Sequence, residues 1–295
     1  LFFLVFIILP VLMLGGLKAI QSLYYFEKVT FPNQYNINKN IKKDGSARKN
    51  ILIINTEQGF GGAELHTIQM YKNLSKDNYN VKLLIVKNSP LEKNLLESKT
   101  SYCAYNKFSI FKAPIQPGLY NAIYKICEDE KIDIIQCNGH SETTAAKKVS
   151  SKLPAKTVLT RHISNPMNTK YLKELDGAIG VSLQVQQYLK QENDKNNLNI
   201  KNIEFIPPMF DEEKFIKFKT DEKKSSFFQN NFGLTIDNKT PLLCTIANMP
   251  KDNNKNQVLL LQAIQKLIYN KNKNIQLILV GDGELKDHLK QMTND

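Results

Sequence analysis

Short apolar runs alternating with helix-length stretches narrow what this chain can fold into more than any other feature. Ile51-Leu52-Ile53-Ile54, Val81-Lys82-Leu83-Leu84-Ile85-Val86, Ile132-Asp133-Ile134-Ile135 and Gly177-Ala178-Ile179-Gly180-Val181 read as strands, joined by Val158-Leu159 and a weaker run near Tyr102. Between them, residues 63–74, 119–130, 141–152 and 183–191 read as helices. A strand that is apolar at nearly every position is buried on both faces. Strands separated by helices connect through right-handed crossovers into a parallel sheet. The expected class is α/β.

The pattern restarts further on. Ile203-Glu204-Phe205-Ile206-Pro207-Pro208 reads as a last strand broken by prolines, followed by a charged, aperiodic stretch to residue 240. Leu242-Leu243-Cys244-Thr245-Ile246-Ala247 and Ile275-Gln276-Leu277-Ile278-Leu279-Val280 are then strands. Residues 256–269 form a helix, and Gly281-Asp282-Gly283-Glu284 opens another. Two strands and two helices cannot cover both faces of a parallel sheet or bury enough surface to stand alone. Either the remainder lies outside the chain or the unit leans on the first domain; the expectation is the former, with residues 217–295 the first part of a domain.

Ligands of such sheets bind beyond the carboxyl ends of the strands. The first strand leads into Gln58-Gly59-Phe60-Gly61-Gly62-Ala63-Glu64, where glycines would let a ligand approach a helix N-terminus and its amide donors. The dinucleotide fingerprint fails there because Glu64 occupies the place of its last glycine. The competing reading is a tight turn that binds nothing. Later strands end at Cys137-Asn138-Gly139-His140-Ser141 and Thr160-Arg161-His162-Ile163-Ser164. A lone histidine is usually structural or solvated, but two at strand ends of one sheet face the same crevice. The four cysteines, Cys103, Cys127, Cys137 and Cys244, make no CxxC pair and no metal-ligand spacing, and read as free buried thiols in a reducing compartment. No HExxH is present.

The beginning of the chain differs in character. Leu1 to Leu17 carries no charge, and apolar residues resume after Lys18 as far as Phe26. Residues 1–26 are expected to form a transmembrane signal anchor, with a cleaved signal peptide as the rival. Lys18, Lys28, Lys39, Lys42, Lys43, Arg48 and Lys49 on its far side keep that side cytoplasmic, so the expected location is single-pass membrane with the soluble part facing the cytoplasm. Residues 27–50, polar and rich in Asn and Lys, read as a tether. The net charge of +12 suits lipid headgroups or nucleotide phosphates. Arginine occurs only at Arg48 and Arg161 and the lysines are scattered, so no nucleic-acid partner is expected. A first residue that is Leu1 rather than Met, and a helical pattern running up to Asp295, read as the ends of a fragment.

Taken in order, the motifs carry a family resemblance. They are Gly61-Gly62-Ala63-Glu64, His140, His162, Val181-Ser182 before a helix, Ile206-Pro207 leading into Phe215, Lys255-Asn256-Gln257, and Leu279-Val280-Gly281-Asp282-Gly283-Glu284-Leu285. Over residues 50–295 the chain resembles glycosyltransferase family four, a group of retaining GT-B enzymes. The resemblance implies an acceptor-side Rossmann-like domain over 51–216 and an incomplete donor-binding Rossmann-like domain over 217–295. It also implies a nucleotide-diphosphate sugar donor, a glycan or lipid-linked acceptor, and no cofactor or required metal.

By the same resemblance, Gly61, Gly62, Glu64 and His140 belong to the acceptor side and His162 is catalytic, facing the transferred sugar. Lys255 neutralises the diphosphate, with Asn248 and Lys251 on the same loop. Gly281 and Gly283 let the chain pass close to the nucleotide base. The chain departs from the family at Ala247-Asn248, where Gly-Arg is usual, at Pro208-Met209-Phe210, where Pro-Asn-Gly is usual, and in a loop to Lys255 that is two residues longer. The family's Glu-rich donor motif would fall beyond Asp295, so the expectation is of an inactive fragment. The alternatives are a nucleotide-sugar epimerase of GT-B fold and a non-catalytic remnant. A GT-A transferase lacks its Asp-x-Asp here.

Overall fold

The computed structural model describes residues 26–29, 48–76, 79–107, 117–165, 168–210, 224–271 and 273–293. The chain divides into two compact units, Leu1–Glu212 and Glu213–Asp295.

The first unit is an eight-stranded sheet. In chain order it comprises β1 (Phe26–Val29), β2 (Asn50–Asn55), α1 (Gly62–Lys76), β3 (Asn80–Val86), α2 (Pro90–Glu97), β4 (Tyr102–Tyr105), α3 (Pro117–Asp129) and β5 (Ile134–Cys137). It continues with α4 (His140–Ser150), β6 (Lys156–Arg161), a 3-10 turn (Thr169–Leu172), β7 (Gly177–Gly180), α5 (Leu183–Asn196) and β8 (Ile203–Phe205). The strand order is β1-β4-β3-β2-β5-β6-β7-β8. Every pairing is parallel except β1 with β4.

Alternation along a strand explains why the strands look uniformly apolar. Leu52 and Ile54 of β2 join Leu84 and Val86 in a core with α3, α4 and α5. Ile51 and Ile53 join Leu83 and Ile85 in a second core with α1 and α2. With a core on each face, neither parity of the strand can be polar. Helix α2 adds a local signal. Ser89 caps its first turn by accepting from Glu92 N at 3.2 Å, and Pro90 sits where its missing N–H is harmless.

The strand β1 departs from the tether expected over 27–50. Residues 26–29 pair antiparallel with β4, Phe26 opposite Tyr105 and Val29 opposite Tyr102, and so cover an edge of the sheet. Four residues are too few to show a period in sequence. The expected transmembrane segment falls on residues 1–26, of which 1–25 lie outside the described residues. Among the described residues no helix is long and apolar enough to cross a membrane.

The second unit contains α6 (Lys224–Phe232), β9 (Leu242–Ile246), α7 (Gln257–Lys271), β10 (Gln276–Val280) and α8 (Lys286–Met292), with β9 and β10 parallel. Helix α6 lies in the stretch that reads as aperiodic. Met249, Leu261 and Leu289 form the small buried centre. Ile246 is 78% exposed and Tyr269 68%. Cys244, on β9, is exposed and corrects the expectation of a buried thiol; Cys103, Cys127 and Cys137 are buried as expected. The cause is the sheet: among the described residues β9 has a neighbour on one edge and its faces are only partly covered.

Candidate functional site

The topology locates the crevice of the first unit. From β2 the chain runs through β3 to β4 on one side, then returns to β5 on the other side of β2. Helix α1, following β2, packs in one core, and α4, following β5, packs in the opposite one. The loops after β2 and β5 therefore part in opposite directions, and a parallel sheet opens for ligands at that point.

The loop after β2 carries the glycines. Among the described residues a Cβ at Gly59 or Gly62 would meet nothing within 4 Å, and one at Gly61 only Glu64 Oε2 at 3.7 Å. None of the three has a positive φ. Neither packing nor backbone strain in the described structure therefore demands glycine, and the space beside the loop is open. Glu64 is buried, and its carboxylate turns inward: Oε2 accepts from Gly61 N at 2.7 Å and Oε1 from Asn55 Nδ2 at 3.4 Å. It shapes the loop from beneath.

Between the two loops lies Glu142, fully buried on α4. Its Oε1 accepts from Thr56 N at 2.6 Å, and its Oε2 from Gly139 N at 2.9 Å and from Asn138 N. Burial pushes its pKa up to about 7, against the opposing pull of these donors. The Asn138 side chain donates from Nδ2 to the Ile54 carbonyl at 2.9 Å and to Thr67 Oγ1 at 3.4 Å, and its Oδ1 lies 3.2 Å from His162 Nε2. His162 in turn meets His66, buried on α1, edge to face with ring centroids 5.3 Å apart. Desolvation holds His66 down at about 4, helped by the neighbouring His162. Desolvation and the Arg161 guanidinium lower His162. Both rings are neutral near pH 7.

His140 stands apart from this cluster. It is exposed, and its ring packs on Tyr171 with centroids 4.4 Å apart. The cluster thus joins the expected His162 and Glu64 to Asn138, Glu142, His66 and Thr67, which sequence reading passed over. Three of these carry a readable signal. Glu142 is three residues after Gly139 at a helix start, the spacing of an acid that reaches back to the cap. His66 and Thr67 follow Ala63 by three and four residues, on the inward face of α1.

In the second unit, Asn248, Lys251 and Lys255 are exposed on the loop between β9 and α7. The Asn248 carbonyl accepts from Gln257 Nε2 at 2.8 Å. Gly281 and Gly283 have φ of +156° and +145°, and added Cβ atoms would lie 1.9 Å from the Ala247 carbonyl oxygen and 2.3 Å from that of Met249. Their glycine character is required by the β9 loop, which is stitched to theirs by Met249 N to Asp282 O at 2.8 Å and Leu285 N to Met249 O at 3.0 Å. Among the described residues no group of three or more His, Cys, Asp and Glu side chains is placed to hold a metal.

No protein-family model matches the chain, and no curated protein matches it by sequence. Solved structures do share its fold. A glycosyltransferase from Rickettsia africae superposes with a TM-score of 0.61 at 19% identity, over 84% of this chain and 63% of that one. Anabaena HepE in complex with UDP gives 0.61 at 16% identity, over 83% and 65%. A putative UDP-N-acetylglucosamine 2-epimerase from Listeria monocytogenes gives 0.51 at 11%, over 84% and 65%. The fold is α/β of the GT-B kind. The chain spans 63% and 65% of the length of the first two of these structures.

Proposed function

We propose that the chain is the greater part of a retaining glycosyltransferase of family four, moving a sugar from a nucleotide-diphosphate sugar to a membrane-associated glycan or lipid acceptor. The observation that carries the reading is the coincidence of the sheet's switch point with an open glycine loop and a neutral histidine cluster, in a fold shared with a glycosyltransferase and a UDP complex. His162 faces the transferred sugar. Lys255, with Lys251, neutralises the diphosphate, a task for cationic side chains, and among the described residues neither lysine is in an ion pair; Asn248 on the same loop offers an uncharged amide donor to a phosphate oxygen. Gly61 and Gly62 line the acceptor side with Glu64 shaping their loop, and His140 flanks it. Gly281 and Gly283 form the turn beneath the base. No metal or cofactor takes part in this reading. The apolar segment 1–26 and the basic residues after it anchor the protein in a membrane, with the soluble part in the cytoplasm.

A panel of nucleotide-diphosphate sugars tests the proposal by binding and by acceptor-dependent transfer to membrane extracts. Binding of one donor, weakened in Lys255→Ala, is the expected result, and any transfer that the chain supports is weakened in His162→Ala. Failure of every donor to bind would sink the proposal. The likeness to the Listeria protein keeps epimerisation as the second reading. It requires a nucleotide sugar alone to yield its C2 epimer without an acceptor. Binding without either reaction would instead describe a non-catalytic remnant.

A further inference from the structure

Glu142 touches more of the switch point than a helix cap explains. A capping acid at the third position of α4 accounts for the bond from Gly139 N at 2.9 Å. It does not account for Asn138 N on the same oxygen, nor for Thr56 N at 2.6 Å, which arrives from the loop of a different strand. One carboxylate thus holds both walls of the crevice at their roots. Being fully buried, with both oxygens engaged, it cannot itself reach a ligand.

What Glu142 holds matters because of the residue it grips. The Ile54 carbonyl only accepts, so the atom of Asn138 facing it at 2.9 Å is Nδ2, and Oδ1 is the atom turned to His162. Oδ1 only accepts, so the proton between them belongs to His162 Nε2, and the neutral ring keeps its lone pair on Nδ1. Among the described residues Nδ1 has no hydrogen-bond partner.

We infer that Glu142 is a positioning residue for His162, acting through Asn138 to present the ring with Nδ1 as an acceptor for a ligand hydroxyl. The inference rests on the reading of this crevice as a sugar site, because only there does an acceptor facing a hydroxyl have use. It assigns His162 to hydroxyl recognition and leaves phosphate neutralisation to other groups.

The test measures coupling in the whole chain, with no sugar present. Replacing Asn138 by Asp puts a carboxylate beside His162, and the His162 pKa, followed by NMR, rises by about 1 unit or more. In a Glu142→Gln background one oxygen becomes an NH2 group opposing a backbone N–H, Asn138 loses its anchor, and the rise falls to less than half. An equal rise in both backgrounds would overturn the role of Glu142. Hydrogen exchange of the unaltered protein gives a measurement that survives if Glu142→Gln does not fold. The amides of Thr56, Asn138 and Gly139 exchange together, at least about a hundredfold slower than an unprotected amide. Fast exchange at Asn138 or Thr56 overturns the inference. Failure of every nucleotide sugar to bind, with the coupling intact, counts against the proposed function and the hydroxyl role of Nδ1 that rests on it, and leaves the positioning of His162 by Glu142 standing.

Discussion

His66 and His162 meet edge to face at the crevice of the first unit, their ring planes 75° apart, and among the described residues the buried His66 Nδ1 has no hydrogen-bond partner. A buried, partnerless nitrogen is tolerable as a lone pair and expensive as a cation, so the contact exists only with His66 neutral.

Stability therefore depends on pH through His66, and the sign follows from linkage. Its pKa is about 4 in the fold against 6.5 unfolded, so between these values the unfolded chain binds the extra proton. Stability from this group is complete above pH 6.5 and is lost as pH falls toward 4. The loss reaches about 3 kcal/mol at 1.36 kcal/mol per unit. Thermal melts of the wild type and His66→Phe across this range measure it as a difference, in which the acid loss is steeper for the wild type. Glu142, whose raised pKa acts with the opposite sign, is common to both proteins and cancels. Parallel melting curves would refute the assignment.

The glycines separate into two kinds with opposite expected behaviour. Gly281→Ala or Gly283→Ala forces a Cβ against a carbonyl oxygen at a positive φ. Backbone strain alone is about 1–3 kcal/mol before the loop's displacement is counted. Both variants should lower the melting of the second unit. Gly59→Ala and Gly62→Ala meet open space, and their stability should stay within about 0.5 kcal/mol of wild type. A ligand bound against that loop would nevertheless lose affinity in the latter pair, which calorimetry with donor or acceptor would detect.

Thiol chemistry reports how completely each unit is covered. Cys244 is exposed, whereas burial raises Cys103 to about 11 and Cys127 to about 12, and Cys137 well above its ordinary value. An alkylating reagent at mild alkaline pH should modify the native protein once, at Cys244, and the other three only after unfolding. Peptide mapping by mass spectrometry decides it. Prompt labelling of Cys137 would contradict the closed core around β5.

The central sheet was legible because burial on both faces leaves an uninterrupted apolar run, as in Ile51-Leu52-Ile53-Ile54. Helix α2 was passed over although Ser89, Pro90 and Glu92 mark its start, since eight residues show little period. Strand β1 was hidden because its partner β4 lies more than seventy residues away, and only tertiary pairing makes it a strand. At the site, His162 could be found from its place after a strand. Glu142 could be read only as a helix cap, from its place three residues after Gly139; its hold on the opposite wall comes from Thr56, which is 86 positions away in sequence. In the second unit Gly281 and Gly283 also answer to the close approach of the Ala247 and Met249 carbonyls, contacts that no local pattern announces.

Lys251 and Lys255 are the sharpest test of the phosphate role proposed for the loop between β9 and α7, because among the described residues neither has an ion-pair partner. The nearby acid Asp282 is bonded to Gly283 N at 2.9 Å and paired with Lys286 at 3.2 Å, so it does not quench them. Removing an exposed, unpaired lysine should leave stability within about 0.5 kcal/mol. If Lys255 meets a diphosphate, Lys255→Ala should weaken nucleoside-diphosphate binding about tenfold, or 1.4 kcal/mol. Added salt should narrow the gap between the proteins as it screens the contact. Lys251→Ala measures whether the second lysine supplies the charge that Asn248 lacks; a loss larger than that of Lys255→Ala would move the diphosphate toward the β9 end of the loop. Titrations with a nucleoside diphosphate at two ionic strengths distinguish these outcomes. Equal affinity of wild type and both variants at low salt would remove the phosphate role from this loop altogether.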